Sequence, residues 1–131
     1  MNTTGVVTIA LIDQHDLMRE CIHNYLAGSG YPSILHATDG KELMNRLSND
    51  NIPDICVLEF NARKKAGYET IKMLKTIWPQ IKIVIYSIQH GPVENKTQAS
   101  GADAVIDHQS SLATLKHTLD RLAKQQPALA N

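Results

Sequence analysis

The amino-acid sequence predicts a single α/β domain, an open parallel sheet with helices on both faces. Three observations predict it. Strand-like and helix-like segments alternate five times along 131 residues. The connections are too short for anything but crossovers. The strand candidates are near-continuous aliphatic and β-branched runs, as strands covered on both faces require. A chain of this length buries one core and fits one domain. Its 43% hydrophobic and 20% charged residues exclude a largely disordered or fibrous chain.

The first strand is expected over residues 6–12, a β-branched run stopped by Asp13. Leu17, Met18, Cys21, Ile22, Tyr25 and Leu26 follow at helical period and form an apolar stripe ending at Gly28-Ser29-Gly30. A short strand over 33–37 leads to Asp39, which can cap a helix while Glu42 bonds back, with Leu43, Met44 and Leu47 toward the core. Behind Pro53, residues 54–60 read as the clearest central strand. After a polar loop, residues 68–77 predict a helix with Ile71, Leu74 and Ile77 on one face. It stops at Trp78-Pro79, because the residue before proline disfavours helical geometry. Residues 81–88 form the fourth strand, 91–100 a fourth helix opened by Pro92, and 103–107 the fifth strand. Leu112, Leu115, Leu119 and Leu122 mark the last helix.

Thirteen Lys and Arg balance thirteen Asp and Glu, so no global field draws the chain to nucleic acid or an anionic membrane. The N-terminal residues carry no basic side chain and the apolar run behind them is short; neither a signal peptide nor a membrane span is expected, and the cytoplasm is the simplest location. Cys21 and Cys56 sit in apolar patterns and are expected to be reduced core residues. Gly28-Ser29-Gly30 follows a helix and lacks a third glycine, which rules out a dinucleotide fingerprint. No Walker-type phosphate loop or nucleophile elbow is present, and two separated cysteines do not make a structural zinc site.

Ligands of open α/β sheets sit at the carboxyl ends of the strands. Those ends read Asp13-Gln14-His15, Glu59 to Asn61, Ser87 to His90 and Asp107-His108, so acids, a hydroxyl and imidazoles converge on one edge. That order, with Gly67 after the third strand and Gly101-Ala102 before the fifth, resembles the CheY-like receiver domain of response regulators over about residues 6–124. Ile9-Ala10-Leu11-Ile12-Asp13-Gln14-His15, Arg19-Glu20 and Gly101-Ala102-Asp103-Ala104 are most similar to receivers of the NarL type, which usually precede a helix-turn-helix DNA-binding domain. The resemblance implies a flavodoxin-like, doubly wound five-stranded sheet of order 2-1-3-4-5 with five helices. It also implies a receiver-like unit over residues 1–124, a tail or linker stub over 125–131, and a regulatory module rather than an enzyme.

Receivers hold Mg²⁺ on acids ending the first strand, take a phosphoryl group on an Asp ending the third, and contact it through Ser or Thr and Lys. The resemblance places Asp13 and Gln14 at the acid pair, Glu59 at the phosphoacceptor, and Ser87, Val105 and His108 at the switch positions. Gln14 thus replaces an acid, Glu59 an Asp, Val105 an aromatic and His108 a Lys, while the usual Met-Pro loop reads Ala62-Arg63-Lys64-Lys65-Ala66. The extra methylene of Glu59 moves its carboxylate by roughly 1.5 Å, beyond the ~1 Å that near-attack geometry tolerates. One acid fewer weakens a site for a hard cation, and His108 cannot supply a permanent charge. A pseudo-receiver is expected, phosphorylation-independent, binding Mg²⁺ weakly or not at all, with Asp13, Gln14 and Glu59 lining an acidic pocket.

Several residues keep two readings. Glu59 is either a built-in mimic of the phosphorylated acid or a drifted residue in a dead site. Asp13 and Glu59 either chelate a metal, with His15, His90 or His108 adding imidazole, or form a partly solvated acidic pocket. His108 is also expected to pair with Glu59, whereas His23, His36 and His117 read as ordinary surface or helix residues. Arg63-Lys64-Lys65 is a solvated turn or a dock for an acidic partner, and the leucines of the last helix are core or a dimer seam. The partners implied are a second copy through the fourth helix, fifth strand and fifth helix, a histidine kinase, and a DNA-binding effector domain outside this chain, with no direct contact to nucleic acid or membrane. Two competitors stand beside the pseudo-receiver: a receiver that still accepts a phosphoryl group, and a small-ligand or metal sensor using the acidic pocket.

Overall fold

A strand covered by helices on both sides sends alternate side chains into two separate cores, and the strands Ile9–Ile12, Ile55–Phe60, Lys82–Ser87 and Ala104–Ile106 do so. The edge strand Ser33–Ala37 instead feeds one core through Leu35 and Ala37 and leaves Ile34 exposed. The computed structural model describes residues 5–61, 64–87, 101–107 and 111–125. Its elements are β1 (Ile9–Ile12), α1 (Asp16–Gly28), β2 (Ser33–Ala37), α2 (Gly40–Arg46), β3 (Ile55–Phe60), α3 (Lys65–Ile77), β4 (Lys82–Ser87), β5 (Ala104–Ile106) and α4 (Leu112–Ala123). The strands pair in parallel in the order β2-β1-β3-β4-β5, as expected. Four helices lie among the described residues; the expected helix over 91–100 falls outside them, as do residues 126–131 of the expected tail. Among the described residues no helix is long and apolar enough to cross a membrane.

Ala10, Ile12, Cys56, Leu58, Phe60 and Ile83 face α2 and α3, while Ile9, Leu11, Ile55, Val57 and Val84 face α1 and α4. Leu115, Leu119 and Leu122 are buried in the second core, so the leucine stripe covers the sheet. Asp39 caps α2 by accepting the Glu42 N–H at 2.8 Å, and Glu42 reaches back to accept the Thr38 N–H. The α3 helix starts three residues before its apolar period does, and Gly67 permits it. A Cβ on Gly67 would stand 2.7 Å from the Phe60 ring. The chain enters β5 through Gly101 at φ +111°, a conformation suited to glycine, and Asp103 then accepts the Ile83 N–H at 2.7 Å and pairs with Lys75 at 2.8 Å.

The expected stripe of α1 needs correction. Ile22 and Leu26 are buried, but Leu17 is 84% and Met18 48% exposed, and Cys21 is exposed rather than a core residue. The buried side of α1 is centred on Ile22 and Leu26, and Leu17 and Cys21 stand about 140° and 100° round the helix from Ile22, so they leave that side. Cys56 is the core cysteine, fully buried, and burial pushes its thiol pKa up to about 12. His23 and His36 are likewise not plain surface residues. They are half-buried between α1 and β2, their rings meet edge-on at 4.9 Å, and both approach the Ser33 hydroxyl. Burial holds the His36 pKa below its ordinary value, with the neighbouring His23 adding to the effect.

Candidate functional site

The period of two that builds the α1 face carries a polar group to the carboxyl end of each central strand. Asp13 continues the Ile9, Leu11 series, Glu59 continues Ile55 and Val57, and Tyr86 continues Val84. Glu59 and Tyr86 are register partners. Asp13 is buried, 1% exposed. Its Oδ1 accepts the His15 backbone N–H at 2.8 Å, and its Oδ2 accepts the Tyr86 O–H. Arg19, held by Asp16 at 2.7 Å, donates to the Asp13 carbonyl at 2.6 Å.

His15 is the N-cap residue of α1, but its ring makes no cap bond. Instead Nδ1 lies 3.0 Å from Asp13 Oδ1 and 2.9 Å from Glu59 Oε2. One imidazole therefore bridges the two carboxylates. Its pKa is raised above the ordinary 6.5, first by the hydrogen bond to Asp13 and then by the charge of Glu59. Glu59 is itself held above the usual 4.5 by burial, and next by the charge of Asp13, while His15 partly offsets both. Burial and Asp13 also raise the Tyr86 hydroxyl.

Both His15 and Glu59 bind their protons more tightly in the folded state than in the unfolded chain. The stabilisation from His15 is fully present below the unfolded value and is lost as pH rises through the raised folded value. For Glu59, ionisation above 4.5 is disfavoured by folding, so stability again falls as pH rises through its folded value. The His15 ring is expected to titrate above 6.5 by NMR, and to move down in Glu59→Gln. A titration at or below that value, or one indifferent to the substitution, removes the bridge.

The other candidate residues are placed less centrally. Gln14 is exposed beside the cleft that Thr38, Asp39 and Lys64 line with Asp13 and Glu59. Ser87 ends β4 in register with Phe60, and Val105 packs against the α2 and α3 core. Lys64 and Lys65 open α3 and are exposed. His90, His108 and Arg63 lie outside the described residues, so the expected pair of His108 with Glu59 does too. Within the described residues Glu59 is engaged by His15. Sequence reasoning missed Tyr86, whose signal was available: a tyrosine in an apolar strand needs a polar partner for its hydroxyl once buried.

The Mg²⁺ ion that the resemblance implies does not fit these residues well. That cation needs several oxygen ligands in near-ideal octahedral array and sheds water reluctantly. Here Tyr86 holds one oxygen of Asp13, His15 engages the other, and position 14 offers an exposed amide in place of a carboxylate.

Comparison with known proteins agrees with the geometry. The family model described as response regulator receiver domain matches residues 9–120. The transcriptional regulatory protein DegU of Brevibacillus brevis is 29% identical, over 77% of this chain and 48% of that protein, so this chain spans about half the length of that relative. Among solved structures, a LuxR-family two-component response regulator from Aurantimonas sp. SI85-9A1 superposes with a TM-score of 0.81 at 23% identity, covering 95% of this chain and 93% of that one. A CheY-like response regulator receiver domain protein from Methanospirillum hungatei JF-1 gives 0.80 at 17% identity, covering 92% and 96%. These two show the shared fold. With the family model spanning β1 through most of α4, and the acidic residues standing at the carboxyl ends of β1 and β3, the chain belongs to the response regulator receiver domain family.

Proposed function

We propose that this chain is a pseudo-receiver, a receiver domain whose phosphorylation site has become a closed hydrogen-bonded cluster. It acts in the cytoplasm as a phosphorylation-independent interaction or dimerisation module of a transcriptional regulator. The observation that carries this is the His15 imidazole on both carboxylates, 3.0 Å from Asp13 and 2.9 Å from Glu59. An incoming phosphoryl group must displace that ring, find an attacking oxygen displaced by one methylene, and do so without a second acid at position 14. Residues 1–124 serve as the receiver unit and 125–131 as a connection to an effector domain elsewhere, in keeping with a relative named as a transcriptional regulatory protein. Self-association through residues 91–100, β5 and α4 is part of the same proposal. A domain that cannot bind the phosphoryl group must present its working surface in the resting state.

Incubation with acetyl phosphate and Mg²⁺ is expected to leave both the intact mass and the sedimentation profile at micromolar concentrations unchanged. Glu59→Asp alone is not expected to restore transfer, because Gln14 is unchanged and His15 still bridges the acids. A gain of one phosphoryl mass in the parent, abolished by Glu59→Gln, would falsify the pseudo-receiver and favour a working receiver.

A further inference from the structure

The exposed apolar side chains at the start of α1 stand on a groove that also reaches the acidic strand ends. We infer that this groove, between α1 and α4, binds a small organic cation, an apolar ring or chain carrying an amine. The ligand is then the input of a domain that phosphate does not switch. For that signalling role the inference rests on the pseudo-receiver reading; for the ligand it rests on the groove.

The groove follows from how the two helices are held. Past the carboxyl end of α1, Tyr31 donates its hydroxyl to Asp120 of α4, and Leu26, Leu119 and Leu122 are buried in the same core. Between the first turns of the same helices a cavity of about 790 Å³ opens instead, within the roughly 300–1,000 Å³ of small-molecule sites. Leu17, Met18 and Cys21 of α1 line one side and Leu112 and Leu115 of α4 the other, with Ile106 of β5 adding to the lining. Leu17 and Met18 are exposed, so an apolar ligand body gains by taking their surface out of water.

The polar end of the groove selects the head group. Asp13, Glu59 and Asp107 line it, and none of the described lining residues is Lys or Arg. The N-termini of α1 and α4 each contribute about half a positive charge, too little to reverse three carboxylates. An anionic head is repelled there and an ammonium attracted. Asp13 does not receive it, being buried with one oxygen on His15 and the other on Tyr86. Glu59 does. Its side chain is 12% exposed and lines the groove, and burial together with the charge of Asp13 disfavours its ionised form. A permanent positive charge beside it offsets that penalty whether or not His15 is protonated, so the imidazole bridge stays in place.

The test titrates the full chain with naphthylmethylamine, naphthylmethanol and naphthoate, one ring system bearing a cationic, a neutral or an anionic head. Cys21 reports occupancy. It is exposed on the groove, whereas Cys56 is buried with its thiol pKa pushed up to about 12, so a maleimide marks Cys21 first. Calorimetry is expected to show saturable one-to-one binding of the amine, and saturating amine to slow Cys21 alkylation. The alcohol should bind about tenfold more weakly, the loss of one charged hydrogen bond, and naphthoate more weakly still. Glu59→Gln is expected to erase the difference between amine and alcohol. Met18→Lys should weaken the amine about tenfold by removing apolar surface and adding a like charge, whereas Met73→Lys, at an equally exposed methionine of α3, should leave it unchanged. No saturable amine binding, equal affinity for naphthoate, or unslowed alkylation at saturating amine overturns the inference. Alkylation that slows with protein concentration but not with amine gives the groove to a second copy and overturns it too. The acetyl phosphate experiment on the same preparation keeps the two proposals apart. No amine binding and no phosphoryl mass sinks only the ligand, while a phosphoryl mass sinks the pseudo-receiver and the signalling role with it.

Discussion

Phe60→Ala is expected to destabilise the domain by about 3–5 kcal/mol, the range for removing a buried aromatic side chain and leaving its cavity. Phe60 is 0% exposed, stacks edge-on against Tyr68 at 4.8 Å, and fills the space that Gly67 leaves at the start of α3. The residue also follows Glu59 in β3, so its packing helps hold the strand end from which the carboxylate projects. A second variant separates packing from general damage. Gly67→Ala forces a methyl toward the ring and is expected to cost about 1–3 kcal/mol in the parent, but less beside Phe60→Leu, because contacting residues are not additive. Denaturant unfolding of the four-protein cycle checks this. A loss below about 1 kcal/mol for Phe60→Ala, or strict additivity in the cycle, would contradict the packing described.

Tyr86→Phe is the second large effect, expected at about 1.5–3 kcal/mol because a hydrogen bond to a buried charged group is lost. Its O–H is donated to Asp13 Oδ2, and Asp13 is 1% exposed, so water does not readily replace it. The cost should grow with pH. Protonated His15 shares in compensating the acids at low pH, and that compensation fades as pH rises through the raised His15 value. Thermal unfolding at acidic and alkaline pH, for Tyr86→Phe in the parent and in Asp13→Asn, gives the comparison. Equal cost in both backgrounds, or no pH dependence, removes the Tyr86 to Asp13 bond from the account.

Most of the frame was legible in the linear chain because the signals that build it are local. The run of apolar residues in β3, the Asp39 and Glu42 cap of α2, and the halt of α3 at Trp78-Pro79 each depend on residues within a few positions of one another. Asp13 and Glu59 were legible as strand-end acids for the same reason. The helix stripe of α1 misled because the apolar set is wider than the buried face; Leu17 and Cys21 stand about 140° and 100° round the helix from Ile22, outside the side that Ile22 and Leu26 bury.

The sequence by itself determined the class of fold, the two faces of each strand and the identity of the acids at the strand ends, since a period of two or 3.6 is written into successive residues. Only the tertiary structure decided what those acids touch. Pairing of β1 with β3 and of β3 with β4 brings Asp13, Glu59 and Tyr86 side by side from positions 46 and 27 residues apart, and the start of α1 then turns His15 onto both carboxylates. The Asp13 half of that contact joins residues two apart, but the Glu59 half depends on strand register and on the entry angle of one helix, which are properties of the packed sheet and not of any local stretch of chain.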